Sequence, residues 1–234
     1  VISQNWTGNL ARSESEIVDL AGILPGIGSH IFSVSVSNVN GDLDENSTNN
    51  SKSVAFEVVD NNFDFPFIEG FNNALTPGCW ITETVSDVGT YNSPKISFVA
   101  SSTHPSASPS EGSHMVLFNS YACDEGDQSR LISPSLSSLS KTGITVNFKW
   151  FEDSAYDTYP DSVSLQWSPN GTDWNTVSSY ARYNVSNPGW LAKEVELPSE
   201  AMNQATLYVG FLFKSANGND CLLDEVFITA TAFQ

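Results

Sequence analysis

Basic residues are scarce in this chain: nine Lys and Arg stand against 27 Asp and Glu in 234 residues, a formal charge of −18. A pI near 4.2 with no Lys/Arg cluster repels phosphate backbones, which sets nucleic acid aside as a partner. Histidine is nearly as rare, with His30, His104 and His114 alone, and the three cysteines (Cys79, Cys123, Cys221) include no CxxC pair. A zinc site therefore has no ligand set at the usual spacing. In an exported chain, three cysteines make one disulfide and one free thiol. The sequence does not choose the pair, and Cys79–Cys221 is preferred only because the segments around them are expected to be neighbouring strands. No apolar run approaches the roughly 18 residues of a membrane helix, and no signal peptide opens the sequence. Catalytic signatures are missing too: there is no G-x-S-x-G elbow and no H-E-x-x-H helix.

Helical periodicity is almost absent, while 40% of residues are hydrophobic and 12% aromatic, too many for a disordered chain. Short alternating runs recur between Gly, Pro, Asn, Asp and Ser, the pattern of an all-β chain. Ile144-Thr-Val-Asn-Phe-Lys-Trp150 puts Ile144, Val146, Phe148 and Trp150 on one face. Val163-Ser-Leu-Gln-Trp167 repeats the pattern and ends at a Ser-Pro-Asn-Gly turn. Leu207, Val209, Phe211 and Phe213 form another inward row. Leu222-Leu-Asp-Glu-Val-Phe-Ile228 is apolar on both faces apart from its acids, as a covered central strand is. Two stacked antiparallel sheets follow, a sandwich or jelly roll. A boundary falls at 58–64. Before it, residues 1–60 hold about four strands (Val1–Trp6, Ser15–Leu20, His30–Val36, Lys52–Val59), too few to close a sandwich alone.

Family resemblances sharpen this picture. Trp6-Thr-Gly, Glu14/Glu16, Gly28-Ser-His and Asn40-Gly…Asn49-Asn50 resemble the back half of an Ig-like module of Bacteroidetes surface proteins, lacking its first strands. The chain is then expected to be a fragment of a larger parent. Farther on, Phe67-Ile-Glu-Gly-Phe71, Leu75-Thr-Pro-Gly-Cys-Trp80, Gly112-Ser-His-Met-Val-Leu-Phe-Asn119, Arg130-Leu-Ile-Ser-Pro134 and Trp167-Ser-Pro-Asn-Gly-Thr-Asp-Trp174 stand in order. With Gly210-Phe-Leu-Phe-Lys-Ser and the 222–228 run, they resemble the MAM-like, choice-of-anchor J and cleaved-adhesin jelly rolls. The expected fold is all-β: a partial Ig-like β-sandwich over 1–60, then an antiparallel jelly-roll β-sandwich over 61–234. The resemblance implies an extracellular, noncatalytic module beside peptidases, adhesins or glycan-active enzymes, often exported by the type IX route.

Calcium seeks about six to eight hard oxygens. Glu69 sits between Phe67 and Phe71, and Asp224 is flanked by Leu222 and Val226 on its own face, odd places for charges that need a partner or a metal. The resemblance implies that their strands pair and that Glu69 and Asp224 share a structural Ca2+ with oxygens from Glu111 and Ser113. Asp42-Leu-Asp44-Glu-Asn46 alternates oxygens as calcium loops do but reads as a simple turn, lacking the bidentate Glu and the mid-loop Gly. For an extracellular glycan or protein ligand, the candidate surface is Tyr156 and Tyr159 in an acidic loop, with Arg182, Tyr183 and Trp190. A competing enzymatic reading takes Glu152, Asp153, Asp157 and Asp161 as glycosidase carboxylates, which need about 5–10 Å between them. A third reading is a spacer that binds nothing. Asp153-Ser-Ala and Asp161-Ser-Val resemble the short O-glycosylation motif of exported Bacteroidetes proteins.

Overall fold

The structure, a computed structural model, describes residues 62–232 without a break, preceded by 5–8, 11, 14–19, 21–22, 25, 28–37 and 46–58. The chain divides into two compact units, Val1–Asp60 and Asn61–Gln234. In the first, β1 (Gly28–Ser35) and β2 (Ser51–Val58) form an antiparallel hairpin. Its register places His30 opposite Phe56, and their rings stack at 5.5 Å. Residues 15–19, expected as a strand, are irregular. Ile17 and Val18 are consecutive, so they cannot share a buried face, and both are exposed. Most of the expected strand Val1–Trp6, and the loop carrying Asp42 and Asp44, lie outside the described residues.

The second unit is the sandwich that the alternating runs dictate. One sheet orders β14 (Asn175–Ala181), β13 (Ser162–Ser168), β16 (Tyr208–Lys214), β10 (Gln128–Ile132) and β5 (Ile81–Ser86). The other orders β15 (Gly189–Glu196), β12 (Lys141–Glu152), β17 (Cys221–Ala232), β9 (Met115–Phe118) and β6 (Ile96–Val99), with β4 (Phe67–Glu69) also on β17. Every pairing in these two sheets is antiparallel. Two short pairs complete it: β3 (Asn62–Phe63) runs parallel to β11 (Ser135–Leu136), and β7 (Ser102–Thr103) returns as β8 (Ser106–Ala107). From β12 onward the chain changes sheet between β12 and β13, β14 and β15, β15 and β16, and β16 and β17. Those crossings make a jelly-roll sandwich rather than a meander. Among the described residues, no helix is long and apolar enough to cross a membrane.

The core lies between the sheets. Ile144, Val146, Phe148 and Trp150 from β12 are buried with Val163, Leu165 and Trp167 from β13 and Val209, Phe211 and Phe213 from β16. Phe148 meets Phe211 edge-on at 5.1 Å, a favourable aromatic geometry. Outside the core, Trp174 packs onto Gly210, where a Cβ would come within 2.5 Å of the indole.

Strand β17 departs from simple alternation. Asn147 of β12 faces Phe227 and Lys149 faces Asp224, so Glu225 and Val226 together oppose Phe148. This is a β-bulge, and Glu225 takes a φ of 50° in it. The extra residue reverses the parity: Val226 and Ile228 point into the core beyond it, Cys221 and Leu223 before it. Leu222 and Asp224 therefore face away from the core, which corrects the expectation that Asp224 and Val226 share a face.

All three cysteines are free thiols. Cys79 leads toward β5 in one sheet while Cys221 begins β17 in the other, so the expected neighbouring strands are not neighbours. Burial pushes the Cys123 thiol up to about 11 and raises Cys221 well above the ordinary range.

Candidate functional site

Arg182 follows β14 and is fully buried. A buried guanidinium requires partners for its N–H groups, and the surroundings supply them. Nε donates to Asp161 at 2.8 Å. Nη1 pairs with Asp153 and donates to the Ala155 carbonyl at 3.1 Å, and Nη2 donates to the Tyr156 carbonyl at 3.3 Å. Asp161 in turn accepts from Ser120 Oγ (2.5 Å) and from the amides of Ala216 (2.7 Å) and Gly218 (3.2 Å). Asp153 accepts from the Ala155 amide at 2.8 Å and Asn219 Nδ2 at 3.2 Å. The approach at Gly218 leaves no room for a side chain, since a Cβ would stand 2.0 Å from Asp161 Oδ2. The Arg182 amide also donates to the Asp161 carbonyl, and the Asp153 amide to the Arg182 carbonyl. The loop between β12 and β13 is thus fastened at both ends and in its middle.

This loop presents Tyr156 and Tyr159 to solvent. Tyr156 takes a left-handed φ of 56°, and its carbonyl accepts from the Tyr159 amide as well as from Arg182. The two rings meet edge-on at 5.8 Å, and Tyr156 meets Tyr121 edge-on at 6.2 Å. Tyr121 lies flat on exposed His104, with 4.0 Å between ring centroids and planes 8° apart. Tyr121, Tyr156 and Tyr159 are 42%, 41% and 41% exposed, so the four rings form a continuous surface ridge. The Tyr121 phenol beside it raises the Tyr156 hydroxyl above its ordinary value. Beneath the ridge, Asp220 accepts from the Tyr121 amide at 3.1 Å and donates its own amide to the His104 carbonyl. Burial pushes its carboxyl up to about 6, against the opposing effects of that amide and of His104.

The residues expected at a ligand surface have divided fates. Tyr156 and Tyr159 stand together. Arg182 does not face a ligand; the correction follows from its burial and its carboxylate partners. Tyr183 is partly buried in a β-bridge with Asp153. Trp190 packs edge-on against Phe151 at 5.2 Å and donates Nε1 to the Ser108 carbonyl at 2.9 Å, so its ring is a strut. Tyr121 and His104, which complete the ridge, were not anticipated, because nothing local to either sequence position signals a partner so far along the chain.

The glycosidase carboxylates are framework as well. Asp153 and Asp161 hold Arg182, and Glu152 is buried with Lys193 Nζ at 2.6 Å and Asn184 Nδ2 at 2.5 Å. Asp157 alone of the four is exposed.

The expected cation ligands lie elsewhere, near the bulge. Glu69 pairs across from Val226, and its Oε1 accepts from the Phe71 amide at 2.7 Å. Asp224, fully buried, accepts from the amides of Ser110 (2.8 Å), Glu111 (3.4 Å) and Glu225 (2.9 Å), and burial pushes it up to about 6. Ser113 donates Oγ to the Asn72 carbonyl at 2.7 Å. Glu69, Asn72, Glu111 and Glu225 line one cleft of about 730 Å³. Among the described residues, no Lys or Arg forms an ion pair with Glu69, Glu111 or Asp224. The donor set is all hard oxygen and fits calcium in kind. No three His, Cys, Asp or Glu side chains among the described residues converge as a cage, so main-chain and Asn oxygens would have to complete the shell.

No protein-family model matches the chain, and no curated protein matches it. Solved structures do. The K1 cleaved adhesin domain of Lys-gingipain from Porphyromonas gingivalis W83 is similar over 71% of this chain and 98% of its own length, at 19% identity and a TM-score of 0.54. The K3 domain from the same organism covers 70% and 97%, at 21% identity and 0.51. The K2 domain covers 70% and 98%, at 19% identity and 0.50. At such identities the likeness is one of architecture: the chain carries the antiparallel β-sandwich fold of the cleaved adhesin domains.

Proposed function

We propose that the chain is a noncatalytic adhesion or substrate-binding module of a larger secreted or cell-surface protein, related to the MAM-like and choice-of-anchor J jelly rolls, and that the tyrosine ridge is its ligand surface. The observation that carries this reading is a ridge of three exposed tyrosines, Tyr156 packing on both Tyr121 and Tyr159, with the Tyr156–Tyr159 loop held from below by buried Arg182 through the Ala155 and Tyr156 carbonyls. Exposed rings on a preorganised loop lose little entropy when a ligand orders them, which is what a binding surface requires. The carboxylates of the glycosidase alternative are committed to Arg182, Lys193 and Asn184, leaving Asp157 without a catalytic partner from that set. The extracellular ligand, glycan or protein, would reach the ridge while the sandwich stays unchanged. A structural calcium held by Glu69, Asp224, Glu111 and Ser113 belongs to the same reading: bound, it would neutralise the buried Asp224 charge and tie β4 to β17. The decisive experiment screens the chain on an array of extracellular glycans and matrix proteins, beside Tyr156→Ala and Tyr159→Ala. Ligand retention that drops with either variant is the expected result. Hydrolysis of any arrayed glycan would overturn the noncatalytic reading, and a blank array would favour a spacer.

A further inference from the structure

The planes of the ridge rings alternate. Tyr121 and Tyr156 are inclined at 72° and Tyr156 and Tyr159 at 75°. A sugar stacks on one flat face, whereas edge-to-face neighbours make corners walled by two ring faces. Such a corner presents negative π-density from two sides, the environment that attracts ammonium or guanidinium groups.

The charge around the ridge has the matching sign. The segments that build it, 101–123, 151–162 and 215–223, contain no Lys or Arg. Arg182 beneath is outweighed by Asp153 and Asp161, and Lys193 is matched by Glu152. Asp157 between the two tyrosines and Asp220 under Tyr121 add negative charge that no Lys or Arg pairs with among the described residues, with His104 the one titratable base at the ridge. The sandwich already seats cations on rings elsewhere: Arg130 lies 4.5 Å above Trp174 and Lys193 lies 4.9 Å from Tyr180.

We infer that the ridge takes lysine or arginine side chains of a basic protein partner, seated in the Tyr121–Tyr156–Tyr159 corners beside Asp157. The inference rests on the ridge being the ligand surface and names the ligand's chemistry.

The test is calorimetric titration of the whole chain with an alternating Lys-Gly peptide, its Glu-Gly counterpart and a panel of neutral oligosaccharides. A chain of this acidity attracts any polycation, so the evidence comes from variants that leave its charge unchanged. Tyr156→Ala and Tyr159→Ala are each expected to weaken Lys-Gly binding roughly two- to five-fold, while Tyr159→Phe, which keeps the ring, binds as the parent does. Tyr159→Ala stands in if Tyr156→Ala, at its left-handed position, melts early. Equal Lys-Gly binding by parent and Tyr→Ala chains would overturn the inference, since the field alone would account for it. Neutral sugars bound through the same rings, with no ring-dependent peptide binding, would overturn the inference and leave the ridge as the ligand surface. Sugar binding that ignores both tyrosines would overturn the ridge reading as well.

Discussion

Arg182 illustrates how one residue can organise a surface without belonging to it. Its guanidinium bridges Asp153 and Asp161 and holds two carbonyls of the tyrosine loop. Removing one partner of a buried ionic network leaves the others uncompensated, which typically costs about 3–5 kcal/mol. Arg182→Met is therefore expected to lower stability by that order in urea unfolding and to disorder the Tyr156 loop. Gly218→Ala forces a methyl against Asp161 and Arg182 and is expected to cost about 2–4 kcal/mol through the same network, although no charge changes. Asp220 links the ridge to pH. Its folded-state value of about 6 lies above the ordinary 3.8, so the folded chain holds the proton more tightly than the unfolded one. The stability it contributes is full below about pH 4 and is lost as pH rises through about 6. Thermal melts from pH 4 to 7 should show a decline that Asp220→Asn reduces; an unchanged profile would place the dependence on other groups.

At the scale of elements, the strands that alternate strictly were legible in the sequence, and the residues that interrupt alternation were not. The runs 144–150 and 163–167 became β12 and β13 with their inward faces as expected, because burial of every second residue leaves few other arrangements. Strand β17 kept its position but not its facing, since a bulge changes parity without leaving a Gly or Pro to announce it: Glu225 carries the positive φ here. Arg182 looked like a surface residue because an arginine between Ala181 and Tyr183 gives no sign of the two distant acids that enclose it. The ridge was half legible for the same reason: Tyr156 and Tyr159 are near in sequence, whereas Tyr121 arrives from the turn after β9. The bulge also bears on the proposed calcium. An ion bridging β4 and β17 would stabilise by RT ln(1 + [L]/Kd), about 2.7 kcal/mol at a hundredfold excess over Kd. EDTA is expected to lower the melting temperature by several degrees and added calcium to restore it, with Asp224→Asn losing the response. Melting indifferent to EDTA and calcium would leave Asp224 as a carboxylate held by backbone amides alone.

For the whole molecule, 27 acids against 9 bases make self-repulsion a standing cost of compactness. Monovalent salt should therefore raise the melting temperature as the screening length shortens toward about 8 Å near 0.15 M, and a flat response would show the charges already compensated. The free thiols carry a different consequence. Cys79 is partly exposed, while Cys123 and Cys221 are sealed in the sandwich and held protonated at neutral pH. A buried, protonated thiol does not react until its surroundings open. Alkylation should accordingly run on two clocks, a prompt one at Cys79 and a slow one whose rate is the frequency of spontaneous opening, readable by mass spectrometry without denaturant. In an oxidising milieu the same chemistry becomes a memory. A molecule bearing an adduct at Cys123 or Cys221 is one whose sandwich has opened at least once since it folded.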